Sequence, residues 1–168
     1  MNQNWSTINK SLGIIEILFG ISVMILSIFS WYTILTNLEQ FGLRWEGVSF
    51  IKLIEQSHFV FLIGLLGLVS GILLIKRKRL GWITSAASLL VYPIGMALII
   101  VARHNEGKDL LEDRLDYIIT GMIMIIFFVL AFTLTLKPIR DFYGIKIRDW
   151  AYSGTIVILF ALDKLVIN

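Results

Sequence analysis

Four consecutive basic residues, Lys76, Arg77, Lys78 and Arg79, stand between two long apolar runs. Residues 59–75 (FVFLIGLLGLVSGILLI) precede them and residues 80–102 (LGWITSAASLLVYPIGMALIIVA) follow. A bilayer core of roughly 30 Å needs about 20 apolar residues per helix. Lipid offers an open backbone no hydrogen-bond partner, so an apolar run of that length must be helical. The pattern therefore predicts two membrane-spanning helices joined by a tight, positively charged turn.

The rest of the chain fits the same class. Of its 168 residues, 57% are hydrophobic and only 16% charged, against about 45–50% apolar in a soluble domain. Spans are expected at 12–35, 58–75, 80–102 and 117–136. The first run is too long for a signal peptide's apolar region and reads as a retained span. The loop 38–57 is too short for a separate domain. Within it, residues 43–57 place Val48, Ile51 and Ile54 against Ser49, Lys52, Glu55 and Gln56. That spacing suggests an amphipathic helix lying on the outer membrane surface or leading into span two. Residues 151–167 are shorter of apolar residues, with Asp163 and Lys164 twelve residues in. They form a fifth span if those two side chains reach the far interface or face other helices. Trp150 and Tyr152 mark the near interface. The fold expected is all-α, a single polytopic membrane bundle of four helices plus a fifth at the C-terminal end.

Charge sets the orientation. With the basic turn in the cytoplasm, the inside holds Lys10, Lys76, Arg77, Lys78, Arg79, Lys137, Arg140, Lys146 and Arg148. The outside holds Arg44, Lys52, Arg103, Lys108 and Arg114, together with eight acidic residues. Short cytoplasmic loops carry the excess of Lys and Arg, so the N-terminus is expected inside and, with five spans, the C-terminus outside. The net charge of +3 then reflects topology rather than nucleic-acid binding. Anionic lipid at Lys76–Arg79 is a further use of the same charges.

Several side chains are candidates for chemistry. Glu16 lies inside span one (LGIIEILFG), and an intramembrane carboxylate is a functional-site candidate by default. The plainer reading is a shallow residue that pairs with Lys10, the basic turn or Arg140, or that snorkels to water. His58 and His104 are the only histidines and fall at the outer ends of spans two and three, which invites a haem or metal pair. Depth opposes it: His58 lies 18 residues before Lys76 and His104 lies 25 after Arg79, a height difference of roughly 10 Å. Gly64, Gly67, Ser70 and Gly71 form a small-residue packing face, with Ser85, Ala86, Ala87 and Ser88 as the expected opposing face. Pro93 is expected to bend span three. Asp163 and Lys164 are the remaining intramembrane polar candidates. The acidic loop 103–116 reads as a solvated face. No phosphate-binding or zinc-protease motif and no nucleophile elbow is present, and cysteine is absent.

These features point to a non-enzymatic integral membrane protein with no cofactor or metal and no catalytic residues. The first expectation is an accessory, scaffolding or assembly subunit of a larger membrane complex, such as one in a bacterial inner membrane. Its partners would be the bilayer and another membrane protein or a second copy. The alternatives are a small transporter or channel-like protein using Glu16 and a Pro93-bent helix, or an electron carrier or enzyme with a cofactor near His58 and His104.

Overall fold

The computed structural model describes residues 3–37, 50–105 and 114–166. They form six helices and no strand: α1 (Gln3–Thr36), α2 (Phe50–Ile75), α3 (Arg79–Asn105), α4 (Arg114–Thr135), α5 (Lys137–Tyr143) and α6 (Ile147–Val166). Four of them, α1 to α4, are long and apolar enough to cross a membrane. The described part of the expected interfacial segment, from Phe50 onward, is continuous with α2 rather than a separate helix. Residues 43–49 lie outside the described residues.

The basic turn is tight because α2 ends in a left-handed residue. Arg77 has φ 55. Its N–H donates to the Leu74 carbonyl (2.9 Å) and the Lys78 N–H to the Leu73 carbonyl (3.0 Å). This is the paired bonding of a Schellman motif, usually built on glycine. Gly81 then lets α3 start against α2: a Cβ there would sit 2.5 Å from the Leu73 carbonyl carbon.

α1 and α2 pack antiparallel at backbone distance. A Cβ on Gly20 would lie 2.5 Å from the Gly64 carbonyl oxygen, and one on Gly71 would lie 2.5 Å from the Gly13 carbonyl oxygen. The small-residue face of α2 thus meets glycines of α1, not Ser85, Ala86, Ala87 and Ser88 of α3. The reason is steric. Glycines on both helices allow backbone to touch backbone, which a serine–alanine face cannot match.

α3 is the central helix, with Trp82, Ala87, Leu89 and Val91 buried. Its buried Trp82 indole N–H donates to the Leu134 carbonyl of α4 (2.9 Å). After α4, an extended Leu136 and Pro138 start the short helix α5, and left-handed Gly144 ends it. This reversal sends α6 back parallel to α3. Asp149 accepts the Lys146 N–H at 2.7 Å, the reach-back half of a capping box at the start of α6. The hydroxyl of Ser153 donates to the Ile83 carbonyl of α3 (2.8 Å). α6 thus forms a fifth leg of the bundle.

Candidate functional site

Ser70 lies six residues before the basic run and Ser85 six residues after it. Each is therefore roughly 9 Å from the turn along its helix. At that depth both reach Glu16 of α1. Ser70 donates to Glu16 Oε2 (2.6 Å) and Ser85 donates to Oε1. The carboxyl is 2% exposed. It neither snorkels nor pairs with Lys10, the turn or Arg140; hydroxyls from two other helices occupy its two oxygens. The cause lies in α1 itself. Asn9, Gly13, Glu16 and Gly20 follow spacings of four, three and four, which place them on one helix face. The glycines draw that face onto α2 and leave Glu16 no route to water.

Two turns nearer the basic end, buried Asn9 repeats the pattern. Its Nδ2 donates to the Leu74 carbonyl (3.2 Å), and the Tyr143 hydroxyl donates to its Oδ1 (2.9 Å). α5 is thereby tied to α1 and α2. Arg79 is not a free turn charge. It grips Asp149 of α6, with Nη2 at 2.8 Å from Oδ1 and Nε at 3.1 Å from Oδ2. Asp149 is buried, which works against its charged form. The Lys146 amide, the hydrogen bonds and charge of Arg79 and the charge of Arg148 outweigh that and hold its carboxyl below the usual range. Arg77 donates to the Ser6 hydroxyl (2.8 Å) and lies 5.8 Å from the Phe142 ring centroid.

The opposite end is built otherwise. His58 Nε2 lies 2.9 Å from Asp163 Oδ2, and Lys164 Nζ lies 5.5 Å from the Phe59 ring centroid. Asp163 and Lys164 therefore face α2. The side chain of His104 and the loop residues 106–113 lie outside the described residues. α3 continues through Pro93 without a break, and Gly95 beyond it admits the Phe59 ring, 2.9 Å from where a Cβ would be. Between the two ends, Phe19, Tyr92 and Phe127 pack ring to ring, with centroids 4.7 to 5.5 Å apart.

Among the described residues no three His, Cys, Asp or Glu side chains gather as a metal site. Both oxygens of the Glu16 carboxyl are taken by hydroxyls. The arrangement joins helices. Reading the sequence singled out Glu16 and Ser70 but missed Asn9, Tyr143 and Asp149. For Asn9 the signal was present, as the first member of the 9–13–16–20 face. No family model, curated protein or solved structure matches the chain.

Proposed function

We propose that the protein is a non-enzymatic membrane subunit that scaffolds or assembles a larger membrane complex through its outer apolar flank. One observation carries this reading. The side chains of Asn9, Glu16, Ser70, Ser85, Asp149 and Ser153 are buried and bonded to one another, to Arg79 and Tyr143, or to backbone carbonyls of other helices. They do not line a path. Interior polarity is spent on helix joining, so what remains for function is surface.

That surface is large on α4, which packs chiefly on α3 and exposes Ile118, Met122, Ile125, Val129 and Phe132. A shallow groove beside the outer half of α1, lined by Val23, Leu26, Ser27, Ser30 and Val60, offers a second contact for a partner helix. In the accompanying topology the basic end lies in the cytoplasm, α6 crosses as a fifth span, and the membrane is a bacterial inner membrane. Transport through Glu16 is the weaker reading, because the Phe19–Tyr92–Phe127 rings fill the bundle above the carboxyl.

The test is photo-crosslinking in native membranes from Ile125 and Val129, with buried Leu89 as the silent control. A stoichiometric adduct with one other membrane protein, or with a second copy, is expected. Adducts with lipid alone would overturn the proposal.

A further inference from the structure

Nine basic residues belong to the end of the bundle where α1 begins, α2 meets α3, and α4 meets α6. One of them, Arg79, is used internally by Asp149. The other eight, Lys10, Lys76, Arg77, Lys78, Lys137, Arg140, Lys146 and Arg148, face one remaining acid on that end, Asp141. Orientation in the membrane requires an excess of charge but not any particular placement. The placement here is specific. α5 lies across this end, anchored by buried Ile139 and Tyr143. Arg140, one turn before Tyr143 on the same face, is half-buried, and its Nε is buried without a hydrogen-bond partner. Arg77 reaches the same region from the turn, held by Ser6 and by the half-exposed Phe142 ring, and its charge acts on Tyr143.

We propose that α5 and the α2–α3 turn form a binding site for the headgroup phosphate of an anionic phospholipid. Arg140 and Arg77 grip the phosphate and Lys137 stands at its rim. Two features point to this ligand. A buried guanidinium nitrogen needs an acceptor, and a phosphate oxygen is one that arginine binds through paired N–H groups. The site also borders apolar surface: α4 ends at Thr135, just before Lys137, and its last two turns expose Phe132 and Val129, where acyl chains would lie. A free phosphate would make no use of that surface. The proposal is independent of the subunit reading and requires only that the helices lie in a bilayer.

The experiment reconstitutes the full chain in phosphatidylcholine vesicles containing phosphatidylglycerol, extracts it mildly, and counts retained lipids by native mass spectrometry. Phosphatidylglycerol is expected to be retained above its bulk proportion. Excess inorganic phosphate should not displace it. The double variant R77Q/R140Q should lose about fivefold in retention per cation removed, while K164Q at the opposite end behaves as wild type. Six of the eight cations at the basic end besides Lys10 stay in place in the double variant, so its orientation should persist; labelling of single introduced cysteines checks this. Equal retention of the two lipids by the wild type would overturn the site. So would undiminished retention by a folded R77Q/R140Q protein, or release by inorganic phosphate alone. If the double variant does not fold, R140Q alone and the wild-type lipid preference decide the matter.

Discussion

Near the basic turn, helices distant in sequence meet through side-chain hydrogen bonds: Glu16 with Ser70 and Ser85, Asn9 with Tyr143, Arg79 with Asp149. One turn above Glu16 the language changes. Phe19, Tyr92 and Phe127 meet as rings, Phe59 meets Phe160, and the hydroxyls of Ser27 and Thr33 bond carbonyls of their own helix. His58–Asp163 is a cross-helix polar pair of that outer region. The difference matters because the solvent is lipid. Acyl chains are as apolar as a phenyl ring, so aromatic contacts there contribute packing but little transfer energy. A buried carboxyl has no substitute partner in lipid, and a hydroxyl only a carbonyl of its own helix, so an inter-helix polar bond favours one register of the helices. The polar half specifies the arrangement, and the aromatic half fills it.

That contrast can be broken by substitution. The largest effect is expected for Glu16→Leu, which leaves the Ser85 hydroxyl without its acceptor and removes one from Ser70. At about 1–3 kcal/mol for an unsatisfied buried group, the loss should be about 3 kcal/mol, measured by unfolding in mixed detergent micelles. Glu16→Gln keeps an acceptor oxygen and should lose about half as much. If Glu16→Leu is as stable as wild type, the polar half does not specify the bundle.

Arg79→Gln comes next. It strands a buried Asp149, for which about 3–5 kcal/mol would apply if both partners were buried. The Arg79 side chain is 35% exposed, so about 2 kcal/mol is expected. The pair also has a pH signature. Because the folded carboxyl of Asp149 lies below its ordinary value of 3.8, its contribution is complete above that value. It is lost as pH falls through the lower folded value. Thermal unfolding followed into acid should show that loss in the wild type and not in Asp149→Asn.

Phe127→Ala tests the other half. Phe→Ala in a water-soluble core loses about 3–5 kcal/mol. With the transfer part removed by lipid, about 1 kcal/mol should remain. A larger effect than that of Glu16→Leu would reverse the comparison. The smallest change is expected for His58→Gln. Its pair with Asp163 is partly exposed, and below about 1 kcal/mol should be lost. A loss equal to that of Arg79→Gln would show that the outer end of α6 is held as firmly as its start.

Much of the fold was legible because the constraint is local. Apolar runs of span length in 12–35, 58–75, 80–102 and 117–136 became α1 to α4; α1 and α2 start nine and eight residues earlier, where polar turns continue the helix, and the other ends shift by three residues at most. The site was legible only in part. Glu16 stood out because a carboxylate inside an apolar run is conspicuous in one dimension. Its partners were not, since Ser70 and Ser85 lie 54 and 69 residues away and serine is common on helix-packing faces. Arg79 was misread as one of four equivalent charges. What distinguishes it is Asp149, 70 residues later.

By itself the sequence determined that the chain is helical, how many long apolar helices it has, and that its basic residues gather at one end. These follow from lipid's demand for closed backbone hydrogen bonds and from charge placement at helix ends. Only the tertiary structure decided which faces meet. Glycines of α1, rather than serines and alanines of α3, receive the small face of α2, because only glycine against glycine lets two backbones touch. That contact turns Glu16 inward and makes a shallow carboxyl the joint of three helices. Tertiary structure likewise decided that one arginine of the basic turn, Arg79, ties α6 to α3.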